Sequence, residues 1–120
     1  EVLKRVFTRQ LAYIEDDKEA REIMELVLFK TGSHPELQTG RRKQIEAGQA
    51  LIEGIAQSMQ IGIASGELRN DISPMDMARS FIAFQNGVIQ MWLASPKSFS
   101  LKDSSGIFAD VLIAGLKPKA

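Results

Sequence analysis

The sequence predicts an all-α fold of five helices, and three observations carry that prediction. Apolar residues recur at three- and four-residue spacing along nearly the whole chain. No stretch alternates apolar and polar residues in the manner of a strand. Helix-start and helix-stop residues, Ser73-Pro74 and Gly66 among them, fall between the periodic segments.

The first helix carries the stripe Val2, Leu3, Val6, Phe7, Leu11 and Ile14 and ends near the acidic turn Glu15-Asp16-Asp17. Those carboxylates suit the start of a second helix, where backbone amides lack partners. Its stripe is Ala20, Ile23, Met24, Val27 and Leu28, and it stops around Gly32-Ser33-His34-Pro35, because a residue before proline is pushed out of the helical region. A long third helix runs from about Glu36 to Ala64, with Ile45, Ile52, Ile55, Met59 and Ile63 inward and Gly66 as C-cap. In Ser73-Pro74-Met75-Asp76 the serine is an N-cap, the proline takes the first helical position and the carboxylate comes three residues on. The fourth helix runs from there to about Ser95, before Pro96, and a fifth spans roughly Lys102 to Leu116.

At 120 residues, 44% of them hydrophobic and 25% charged, the chain is expected to be one globular domain. Fifteen basic residues balance fifteen acidic ones, so nothing in the net charge favours nucleic acid or an anionic membrane. With no cysteine there is no disulfide and no thiolate nucleophile or metal ligand. No apolar run approaches the roughly 18 residues of a membrane span, and no signal peptide is evident. The cytoplasm is the expected location. The chain opens in an apolar pattern without a methionine, and so reads as a domain from a longer protein.

The fourth helix raises a packing question. Met77, Phe81, Phe84, Val88 and Met91 line one side and Ala78, Ile82, Ile89 and Trp92 another, so it is apolar around most of its circumference. Such a helix is expected to be buried nearly all round. The fifth, with Ile107, Phe108, Val111, Leu112, Ile113 and Leu116, has a similarly wide stripe. The expected cover is a second copy, with these two helices pairing with their symmetry mates in a four-helix interface. The residues expected there are Ala78, Phe81, Ile89, Trp92, Phe108, Val111 and Leu112.

Enzyme chemistry finds little support. The single histidine, His34, lies in a turn before proline, where a solvated or capping role is ordinary. No Glu-x-x-His pair is present for a di-metal bundle. Gly62-Ile-Ala-Ser-Gly66 lacks the spacing and the preceding strand of a nucleophile elbow, and Arg41-Arg42-Lys43 reads as a solvated face. No enzyme activity, metal or cofactor is expected. Gly40, Gly48, Gly54 and Gly62 inside the third helix fit either close packing or a deformable helix beside a cavity. Gln85 and Asn86 are amides in an apolar helix; they either bond across the dimer interface or to a neighbouring backbone, or orient a ligand in a pocket. Glu25 lies four residues after Arg21, the spacing of a surface ion pair worth about 0.3–0.5 kcal/mol.

The ordered set "IMELVLFK", a long helix, "GELRNDISPMDMARSF" and "GVIQMWLASPKSFSL" resembles the C-terminal domain of TetR-family transcriptional repressors, in the branch of multidrug-efflux, acridine-resistance type regulators. The resemblance covers essentially the whole chain. It implies a homodimer built on the last two helices, a cavity for a small lipophilic effector, and operator DNA bound only through an N-terminal helix-turn-helix that is not in this sequence. Family pocket positions fall on Glu25 and Phe29 of the second helix, on or next to Gln44 of the third, and on Ile82, Gln85 and Asn86 of the fourth. A carboxylate in such a cavity would favour lipophilic cations. The competing reading is a ligand-free helical dimer serving as an interaction module.

Overall fold

The computed structural model describes residues 2–29 and 38–118, with five helices and no strand among them. They are α1 (Val2–Asp16), α2 (Lys18–Phe29), α3 (Gln38–Ser65), α4 (Pro74–Ala94) and α5 (Leu101–Leu116). The all-α expectation holds, with boundaries within about two residues wherever they can be compared. The turn holding His34 lies outside the described residues. The contacts gather into two compact units. One is Glu1–Lys30 with Ala83–Gly115, the other Thr31–Ile82 with Leu116–Ala120.

In the first unit, α1 buries Phe7, Leu11 and Ile14, the spacing of one helical face. Phe7 meets Phe84 of α4 with ring centroids 5.9 Å apart and planes tilted by 49°. Asp17 separates α1 from α2 and caps the latter, its Oδ1 accepting from the Ala20 amide at 3.0 Å, as the acidic turn predicted. The start of α5 has two caps. Ser100 Oγ accepts from the Asp103 amide at 3.1 Å. Glu15, at the end of α1, takes the Leu101 amide at 2.7 Å and the Ser100 hydroxyl at 3.0 Å. Lys102 pairs with Asp16 at 3.2 Å beside them.

In the second unit, α3 ends as the glycine predicts. Gly66 has φ +83°, and the Glu67 and Leu68 amides both donate to the Gly62 carbonyl at 3.0 Å, closing the helix. The Ser73 hydroxyl accepts from the Asp76 amide at 3.1 Å, the expected cap with Pro74 following it. Between these ends Arg69 donates to both oxygens of Asp71, Nε to Oδ1 at 2.6 Å and Nη2 to Oδ2 at 2.7 Å. That hydrogen bond to Asp71 is the chief reason its guanidinium pKa is raised.

Four of the stripe positions predicted on the first three helices point out, Val2 and Val6 of α1 among them. Ile23 of α2 and Ile45 of α3 are 53% and 52% exposed; the predicted Ala20 and Met59 are buried, and α3 also buries Ala56. The glycines of α3 divide in the same way. A Cβ at Gly48 or Gly54 meets nothing within 4 Å, so close packing does not account for either. At Gly62 it would lie 2.6 Å from Leu68 Cδ1 and 2.7 Å from its Cγ, and Leu68 is buried. Gly62→Ala is therefore expected to lower stability by about 1–3 kcal/mol through overpacking. Gly54→Ala should raise it by up to about 1 kcal/mol through helix propensity. Urea denaturation of both variants checks the pair, and a destabilised Gly54→Ala would contradict the open site.

Candidate functional site

The inward face of α4 is set by Met77, Ala78, Phe81, Gln85, Val88, Ile89 and Trp92, all buried. Gln85 is only 8% exposed, and no described residue hydrogen-bonds its side chain. Ile82 and Asn86 are half-buried on the flank of the same helix. Glu25 on α2 is half-buried and makes no hydrogen bond or ion pair with a described residue. The side chains of Phe29 and Gln44 lie outside the described residues.

The surface pair Arg21–Glu25 does not form. The i, i+4 pair on α2 is Lys18–Glu22, at 4.0 Å. Arg21 turns the other way. Its guanidinium carbon lies 5.4 Å from the Trp92 ring centre, within cation–π range, and its Nη2 donates to the Glu15 carbonyl at 3.2 Å. Arg21 Nε and Trp92 Nε1 are both buried without an acceptor among the described residues. The corner of α1 and α2 thus meets the end of α4 through Arg21 and the start of α5 through Glu15. Sequence reasoning missed both residues. Glu15 lay inside an acidic turn already explained locally, and Arg21 had a plausible partner one turn away.

The expected dimer residues divide by burial. Ala78, Phe81, Ile89, Trp92 and Leu112 are buried within a single copy, with Leu112 keeping 9% and Trp92 4% of its surface exposed. Phe108 is half-buried and Val111 is 60% exposed. α4 is apolar on two sides, and packing within the chain takes one of them. The other forms an open, largely apolar groove of ≈ 610 Å³ with Ala83, Phe84, Gly87, Met91, Ala94 and, from α5, Phe108 among its walls. Met91, Ile107 and Val111 are all more than half exposed. A smaller concavity of ≈ 320 Å³ lies in the second unit, at the turn after α3 around Leu68, Arg69 and Asp71. Neither is lined by Glu25, Gln85 or Asn86. Among the described residues no acidic, histidine or cysteine cluster could hold a metal. No helix there is long and apolar enough to cross a membrane.

The described residues thus form an all-α fold with a buried glutamine on α4 and an open apolar α4–α5 face. Residues 1–118 match the family described as MAATS-type transcriptional repressor, C-terminal region. The chain belongs to that family, a C-terminal family of TetR-type repressors. Among solved structures it is similar to NalD, the secondary repressor of the MexAB-OprM multidrug efflux pump in Pseudomonas aeruginosa. The TM-score is 0.86 at 17% identity, over 98% of this chain and 62% of that one. A second crystal structure, of native NalD, gives a TM-score of 0.85 at 17% identity, over 96% and 58%. At that identity the likeness establishes the fold. The chain spans less than two thirds of the NalD chain. No curated protein sequence matches it.

Proposed function

We propose that this chain is the effector-binding and homodimerisation domain of a TetR-like repressor that senses a small amphipathic, drug-like molecule. A segment preceding Glu1 would read the operator in the cytoplasm. Binding of the molecule would favour an arrangement whose two reading heads no longer match successive major grooves. The observation that carries the dimer is the groove on α4 and α5, which a single copy leaves open although its walls are apolar. Val111→Glu is the test. The substitution sits at an exposed position, so the fold should survive within about 0.5 kcal/mol, while sedimentation should show a monomer. A Val111→Glu variant that sediments as a dimer would rule this face out.

The effector reading is supported by Gln85, an amide in an otherwise apolar inward stripe, and by Glu25, a half-buried carboxylate with no described partner. A carboxylate so placed favours a lipophilic cation over a neutral or anionic molecule. Thermal unfolding against tetraphenylphosphonium, neutral aromatics and fatty acids tests the class. A ligand at 100 times its dissociation constant should add about 2.7 kcal/mol, and Glu25→Gln should remove the gain for the cation alone. If no compound shifts the transition of the intact repressor, the domain is a ligand-free dimeriser.

A further inference from the structure

The outward side of α3 carries almost no charge. Ala47, Leu51, Gly54, Ser58, Ile61 and Ser65 are all exposed, and at about 100° per residue they fall within about 80° of one another. Leu51 and Ile61 are 55% and 71% exposed. Glu53 is the one charged residue between Ala47 and Ser65, and it lies about 120° round the helix from the centre of the stripe. The six residues are spaced by four, three, four, three and four, the alternation of a coiled-coil seam. Leu51 and Ile61 each stand between small residues. A Cβ at Gly54 would meet nothing within 4 Å, so that glycine answers to no contact among the described residues.

We propose that this stripe is a seam on which α3 of a second copy packs antiparallel. Its spacing reads the same from either end, centred on residue 56. Reversed onto itself, it sets Leu51 against the partner's Ile61, Gly54 against the partner's Ser58 and Ala47 against the partner's Ser65. Each contact then occurs twice, as a two-fold interface requires; an unrelated partner would need no such symmetry. Large meets large and small meets small, which lets the helices approach closely. The charges agree with this direction. Exposed Lys43 near the head of one helix comes within about one turn of exposed Glu67 just past the foot of the other, and neither is in an ion pair among the described residues. Antiparallel packing also opposes the two helix dipoles. A parallel pair would face Lys43 with its own mate and leave a gap where Gly54 meets Gly54. No residue of this seam belongs to the α4–α5 face, so the two contacts together join dimers into a larger assembly.

Cysteine cross-linking in the intact protein tests both the seam and its direction. Residues 1–120 contain no cysteine, and any outside them is replaced. Ala47→Cys and Ser65→Cys are made separately, then equilibrated together and treated with a short bismaleimide. The mixture should give a cross-linked dimer. Each variant alone should give at least about tenfold less, because its own mates lie about 27 Å apart along an antiparallel seam. Cross-linking by each variant alone with nothing added on mixing means a parallel seam and overturns the proposal. No product in the mixture overturns it as well, whether the face is bare or covered by another segment. Gln49→Cys, exposed and about 160° round α3 from the stripe, is mixed with Ser65→Cys as the collision control; an equal yield there overturns the seam. Leu51→Glu added to both cysteine variants should remove the product while far-UV circular dichroism stays unchanged, and a product that persists counts against the seam.

Discussion

Ile89→Glu is expected to unfold the chain rather than release it as a folded monomer. Ile89 is 0% exposed within one copy, so the substitution acts on the interior whatever the oligomeric state. Loss of the buried isoleucine costs about 1.5–3 kcal/mol. A carboxylate forced into its place adds several kcal/mol more, since the cation described at that face of α4, Arg21, is already held by the Trp92 ring and the Glu15 carbonyl. The total is comparable with the whole stability of an ordinary domain, about 5–15 kcal/mol. Far-UV circular dichroism with urea denaturation gives the answer directly. A folded Ile89→Glu monomer with an unchanged midpoint would mean that Ile89 faces a partner and that the inward face of α4 is wrongly assigned. The contrast with Val111→Glu separates interior from interface on two neighbouring helices.

Glu15→Ala should lower the melting temperature by about 10 °C. The carboxylate accepts from the Leu101 amide and the Ser100 hydroxyl, and Leu101 is fully buried. Removing it strands a backbone donor at the first turn of α5, at about 1–3 kcal/mol, and takes a negative charge from the helix N-terminus, where it stabilises by about 0.3–1 kcal/mol. A loss of about 2–3 kcal/mol corresponds to a shift near 10 °C in a chain of this size. Glu15→Gln should recover part of it, because an amide oxygen can still accept from Leu101 but brings no charge. Asp16→Ala is the control. It breaks only the exposed pair with Lys102, worth under about 1 kcal/mol. If Glu15→Ala and Asp16→Ala melt together, the carboxylate does not hold α5.

Of the candidate ligand residues, three had a physical signature in the sequence. Gln85 and Asn86 were amides in an apolar stripe, and the buried position of Gln85 agrees with that anomaly. Glu25 was legible as a carboxylate on a helix flank, but its assumed partner was wrong, because Arg21 has a second option in the Trp92 ring. Ile82, Phe29 and Gln44 carried no signal of their own beyond the family resemblance. Nothing in residue type marks an apolar or common polar side chain as facing a ligand.

Local chemistry alone determined where the helices begin and end. Gly66 takes a left-handed conformation, and Ser73, Asp17 and Ser100 cap the helix that follows each of them. These interactions span a few residues and are written in the residues themselves. The three- and four-residue spacing likewise determined which side chains share a face. It could not determine which face turns inward, because α4 is apolar on two. Only tertiary packing decided that Ile89 and Trp92 are interior while Ala83, Met91 and Ala94 stay open. The same holds for the cap that Glu15 places on α5. Its partners lie 85 and 86 residues away, and no local pattern encodes a contact made by chain elements that meet only after folding.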